Sequence, residues 1–130
     1  MNSFSKIVVV AGVLSIALLA QSADRVRAGQ WVGTTITGGK TYPTSSCITK
    51  ADAEALNSGP KAVEAYLQKL IPPEICKITN VKVDGKQVVY TATCSGAPPK
   101  VVTTAYHGDS SEGTDSGGGK TTGKLVGACK

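Results

Sequence analysis

Cys76–Cys94, CKITNVKVDGKQVVYTATC, is the stretch that decides the fold. From Cys76 onward the apolar residues alternate instead of recurring at helical spacing, and Asp84-Gly85 sits between two such runs. That is the pattern of two half-buried strands, Lys77–Val83 and Lys86–Cys94, joined by a tight turn.

The same pattern continues downstream. Ala97-Pro98-Pro99 leads into a strand over Lys100–Tyr106, and His107–Ser111 turns the chain toward a short strand near Glu112–Asp115. Ser116-Gly117-Gly118-Gly119 then returns it into a last strand over Lys120–Cys129. Upstream the period is helical. Ala62, Val63, Tyr66, Leu67 and Leu70 share one face of a helix opened by Pro60, where a missing amide hydrogen costs nothing, and ended by Pro72-Pro73. A shorter helix starts at Thr49-Lys50-Ala51-Asp52, whose threonine and acid can close on each other, and stops at Asn57-Ser58-Gly59. Gly29–Thr37, GQWVGTTIT, suits a first strand, while Gly38-Gly39-Lys40 and Tyr42–Ser46 read as irregular connections. The expected fold is α+β: a curved antiparallel sheet of about six strands in hairpins, with a helical insertion after the first strand packed on one face, stapled by disulfides.

The amino terminus has the marks of an export signal. Lys6 precedes Ile7–Ala20, fourteen residues without a charge, which falls short of the roughly 20 apolar residues of a membrane span. Small residues fit cleavage after Ala23, giving a leader over residues 1–23, or after Ala28. A single exported domain over 24–130 follows, with no membrane span once the leader is gone. Loss of Lys6 leaves thirteen basic side chains against nine acidic, a net +4 where the whole chain carries +5. The lysines are spread singly and the exported part has no phenylalanine, a poor match to the basic, aromatic surfaces that bind nucleic acid.

A core drawn from so few Leu, Ile and Val side chains is thin, and four cysteines in an exported chain compensate. Three connectivities are open. In an up-and-down sheet Cys94 and Cys129 fall at opposite ends of strands, some 25 Å apart at about 3.3 Å per residue, which disfavours that pair. Cys76 with Cys94 and Cys47 with Cys129 is the preferred pairing, and Cys47 with Cys76 remains a rival. A two-residue Asp84-Gly85 turn would send Cys76 and Cys94 to opposite faces, so their pairing requires a three-residue loop with a bulge. Gaps of 29, 18 and 35 residues show none of the close pairs of a zinc site, so no metal or other cofactor is expected.

Taken together, Gly29-Gln30-Trp31, Cys47-Ile48-Thr49, Cys76-Lys77-Ile78-Thr79, the Asp84-Gly85 hairpin ending at Cys94-Ser95-Gly96, Gly108-Asp109-Ser110 with Glu112-Gly113-Thr114, and Gly127-Ala128-Cys129 resemble a bacterial exported family, the one catalogued as domain of unknown function 3617. The likeness spans roughly residues 28–130. It implies a periplasmic or secreted domain without an established catalytic set. The chain departs from the family pattern after Thr114, where polar, glycine-rich sequence replaces a fuller strand.

Several short strings imitate chemistry. YHGDSSEGT, Tyr106–Thr114, crowds His107, Asp109, Ser110 and Ser111 together. Neighbours in an extended chain point to alternate faces and cannot form a nucleophile, base and acid relay, so the string reads as a turn. Asp109, Glu112 and Asp115 match no calcium loop, and Gly118-Gly119-Lys120-Thr121 lacks the earlier glycine of a phosphate loop because Thr114 stands there. Trp31 and the tyrosines at 42, 66, 90 and 106 either line a groove or fill the core, with core favoured for Trp31, Tyr66 and Tyr90. The functional expectation is a non-enzymatic binding or interaction module of the cell envelope, with an unknown protein or small ligand as partner. Two alternatives stand beside it: a small hydrophobic-ligand carrier, and a hydrolase using His107 and a nearby serine.

Overall fold

The structure is a computed structural model that describes residues 24–130; the leader read over residues 1–23 lies outside them. Seven strands form one open antiparallel sheet: β1 Gly29–Thr37, β2 Lys40–Ile48, β3 Cys76–Asp84, β4 Gln87–Cys94, β5 Lys100–Tyr106, β6 Ser110–Asp115 and β7 Lys120–Gly127. Their order is β2-β1-β7-β6-β5-β4-β3. Every neighbouring pair is consecutive in the chain except β1 with β7, so the sheet is a meander whose last strand comes back beside the first.

Two expectations are corrected here. The described residues form seven strands, not about six, and the helices follow the second strand, not the first. Lys40–Ile48, read from sequence largely as irregular connection, pairs residue for residue with β1 from Thr37↔Lys40 to Gly29↔Ile48. The turn between them is Gly38-Gly39, with φ of 58° and 75°, the positive values that a two-residue hairpin loop needs. Pro43 is tolerated because β2 is an edge strand, where a missing N–H leaves no ladder bond unmade.

Helix α1, Lys50–Leu56, begins with a capping box: the Thr49 hydroxyl accepts from the Asp52 amide, and the Asp52 carboxylate accepts from the Thr49 amide. Helix α2, Pro60–Leu70, turns Val63 fully inward and packs on β3. Its Gln68 caps the open edge of that strand, accepting from the Ile78 amide at 2.9 Å and donating to the Cys76 carbonyl at 2.8 Å. One amide side chain thereby replaces a missing neighbouring strand.

In the β3–β4 hairpin the two-residue loop is Gly85-Lys86, since Asp84 pairs with Gln87. The compensating bulge lies within β3, between Thr79 and Lys82, where Asn80 adopts φ 53°; it is not in the loop, where the sequence reading put it. Asparagine is among the few residues that enter this region readily. The extra residue shifts the register so that Cys76 stands opposite Cys94. The disulfides are Cys76–Cys94 and Cys47–Cys129, and the described residues contain no free cysteine. One bridge secures each outermost strand of the sheet.

The core is small. Val26, Trp31 and Leu56 form one buried cluster, flanked by Ile48, Tyr66, Tyr106 and Leu125. Val26 belongs to a segment before β1 that the rest of the chain holds closely. The Asn57 side chain bonds both the Val26 N–H and the Val26 carbonyl, and Val26 bridges to Gly108 in the β5–β6 turn. Among the described residues, no helix is long and apolar enough to cross a membrane.

Candidate ligand groove

Sheet register decides which side chains share the helix-covered inner face. Tyr106 stands opposite Ser111, and Ser111 opposite Gly123; Thr104 stands opposite Gly113, and Gly113 opposite Thr121; Tyr90 stands opposite Val102. All of them project to the face that carries Trp31, Val88 and Leu125. The helices cover only part of this face. Over β5, β6 and β7 two adjoining hollows remain, of about 210 Å³ beside Tyr90, Val102 and Thr104 and about 180 Å³ beside Trp31 and Ile48. They share Tyr106, Ser111 and Thr121 and so form a single groove.

Glycines shape its floor. A β-carbon on Gly123 would come within 2.7 Å of the Ser111 Oγ and 3.4 Å of the Trp31 ring. Gly123 therefore lets the indole lie against the sheet.

The walls are aromatic and the polar groups are hydroxyls. Burial raises the phenols of Tyr66 and Tyr90, with the carboxylates of Asp52 and Asp115 adding respectively. Tyr106 is pushed up to about 12 by burial, reinforced by Tyr90 and Tyr66 and opposed by Arg25. No side-chain hydrogen bond among the described residues involves these three hydroxyls, yet none of the described buried polar side-chain atoms is without a partner. Tyr90 and Tyr106 both line the groove. Asp115, at one end, is already engaged by the amides of Gly117 and Gly119 at 2.7 and 3.2 Å.

Two larger hollows are weaker candidates. One, of about 370 Å³, lies against Thr103, Ala105, Glu112 and Lys120 and has no aromatic wall. The other, of about 470 Å³, lies between Asp24–Ala28 and α1 and abuts the first described residue.

His107–Asp109 form the β5–β6 turn, with Gly108 at φ 84° and the His107 amide donating to the Ser110 carbonyl at 2.8 Å. The His107 Nε2 lies 3.6 Å from Glu112, and among the described residues no serine hydroxyl hydrogen-bonds the imidazole. Asp109, Glu112 and Asp115 do not gather; among the described residues no three potential metal ligands come together. Gly118-Gly119 belong to the β6–β7 turn and Lys120-Thr121 open β7. Trp31 is in the core cluster, Tyr66 and Tyr106 pack against it, and Tyr42 is exposed. The sequence reading missed Ser111, Thr104 and Thr121 as groove residues. Alternation along β5 could have selected residues 102, 104 and 106, but only the register between strands adds 111 and 121.

A search of curated proteins finds no match, and neither does a search of solved structures. A family model matches residues 26–129, nearly the whole described chain and all of its strands and helices. The chain belongs to the family described as protein of unknown function DUF3617.

Proposed function

We propose that the protein is a non-enzymatic binding module of the cell envelope, periplasmic or secreted, that takes a small ligand in the inner-face groove. The observation that carries this reading is the pair of tyrosines, Tyr90 and Tyr106, that line the groove and whose hydroxyls have no hydrogen-bond partner among the described residues. Two disulfides suit an oxidising compartment, and the apolar run at Ile7–Ala20 suits export.

The chemistry of the groove selects the ligand. Two joined hollows of about 210 and 180 Å³ put the groove near the ~300 Å³ lower end of drug-sized sites, which suits one ring and short substituents. Aromatic walls suit an apolar ring face, and the hydroxyls of Tyr90, Thr104, Tyr106, Ser111 and Thr121 suit ligand oxygens that accept hydrogen bonds. That balance favours an uncharged, acceptor-bearing ring over the bare hydrocarbon of the hydrophobic-carrier alternative.

Trp31 is the only tryptophan and lines the groove, so its fluorescence reports occupancy. Titration with a panel of neutral monocyclic compounds is expected to give saturable quenching for oxygen-bearing members. Tyr106→Phe should weaken that binding about tenfold, the effect of losing one hydrogen bond of about 1.4 kcal/mol. Equal affinity in Tyr106→Phe, or no saturable response across the panel, would count against the groove as the binding site.

A further inference from the structure

We infer that the leader is cut on the amino-terminal side of Arg25, at the Ala23–Asp24 bond and not after Ala28, so that Asp24–Arg27 remains on the mature protein as a locking arm. The inference rests on the export reading of residues 1–23. It concerns a processing site, and its substrate is the chain itself. A leader-specific peptidase adds water across the Ala23–Asp24 peptide bond, leaving a carboxylate on Ala23 and a free α-amino group on Asp24.

The arm is bound at three separate places. At the end of α1, the Arg25 guanidinium donates to the carbonyls of Leu56 and Ser58, and Asn57 bonds both polar backbone groups of Val26 at 2.8 and 2.9 Å. At the β3–β4 turn, Arg25 Nε donates to the Gly85 carbonyl at 2.7 Å. At the β5–β6 turn, the Gly108 amide donates to the Arg25 carbonyl at 3.1 Å and the Arg27 amide donates to the Gly108 carbonyl at 3.0 Å. The Trp31 indole N–H also donates to the Arg27 carbonyl at 2.9 Å. The Val26 side chain is 1% exposed, at the centre of the main core cluster.

Cleavage after Ala28 would remove every one of these partners. It would leave Asn57, the Gly108 peptide and the Trp31 indole unpaired beside a hole the size of valine, each a recognised source of instability. Asp24, by contrast, is exposed and makes none of these contacts. The family match begins at residue 26, so it too includes residues that cleavage after Ala28 would remove.

The test uses the full chain with its own leader, produced in a bacterium with a periplasm and recovered from that compartment. Intact mass and amino-terminal sequencing are expected to give a chain starting at Asp24. A start at Gly29 would overturn the inference and leave the export reading intact, whereas a retained leader would overturn both. A second measurement exports two chains behind one unrelated leader, one starting at Asp24 and the other at Gly29. The shorter chain is expected to accumulate at less than a tenth of the level of the longer and to unfold at a lower denaturant concentration. Equal yield and equal midpoint would show that the arm locks nothing and would overturn the inference.

Discussion

Tyr106 packs against the core and also lines the groove, and its burial has a pH signature. Its phenol is pushed up to about 12 in the fold, whereas in an unfolded chain it titrates near 10. Below pH ~10 both states are neutral and the contribution to stability is complete. Between about 10 and 12 the unfolded chain ionises first, so stability falls, and above the folded value the loss levels off. Denaturant titrations from pH 9 to 12 should show this fall, on the order of 2 kcal/mol from Tyr106, with Tyr66 and Tyr90 adding in the same direction. Tyr106→Phe should flatten the profile, and an equal slope in both proteins would contradict the assignment. The sequence reading placed Tyr106 at a strand end without difficulty. Its companions were not legible, because Ser111 and Thr121 join it only through a register that hydrogen bonds between strands impose. Nothing local in the sequence indicates that the Arg25 guanidinium will reach carbonyls 31 and 60 residues away.

At the level of elements, the strands from β3 to β7 were readable, because alternation and glycine-rich turns mark them locally. β2 was not. An edge strand exposed along nearly its whole length buries no face, so no selection for alternating apolar residues acts on it, and Pro43 adds a false sign of a break. The pairing of β1 with β7 was equally hidden, as it joins the two ends of the chain. The other edge, β3, depends on Gln68. Gln68→Ala would strip the partner from the Ile78 amide and one partner from the Cys76 carbonyl, at a cost of about 1–3 kcal/mol. It would also expose a pairing edge. Chemical denaturation should report the loss and light scattering an increased tendency to associate, while Gln68→Glu, which keeps an acceptor for Ile78, should fall between.

At the scale of the molecule, the seven buried hydrophobic side chains among the described residues are a modest core, and covalent links carry much of the remainder. In the chain-entropy account the Cys47–Cys129 bridge, with a separation of 82 residues, stabilises by about 4.5 kcal/mol, and Cys76–Cys94, with a separation of 18, by about 3 kcal/mol. Replacing the first pair by serines is therefore expected to lower the denaturation midpoint more than replacing the second, and replacing both should prevent stable folding at 37 °C. A smaller loss from the first pair would show that the hairpin bridge acts mainly through the native state. The long bridge has one more consequence. If the chain is held upstream of β1 and at Lys130 and then pulled, tension runs through β1 and β2 to Cys47, crosses the sulfur link and leaves through Lys130. Both helices and the strands from β3 to β7 lie in the covalent loop that this load path bypasses, so once the contacts of the arm and the pairing of β1 with β7 have given way, they are spared further extension while the first hairpin takes the strain.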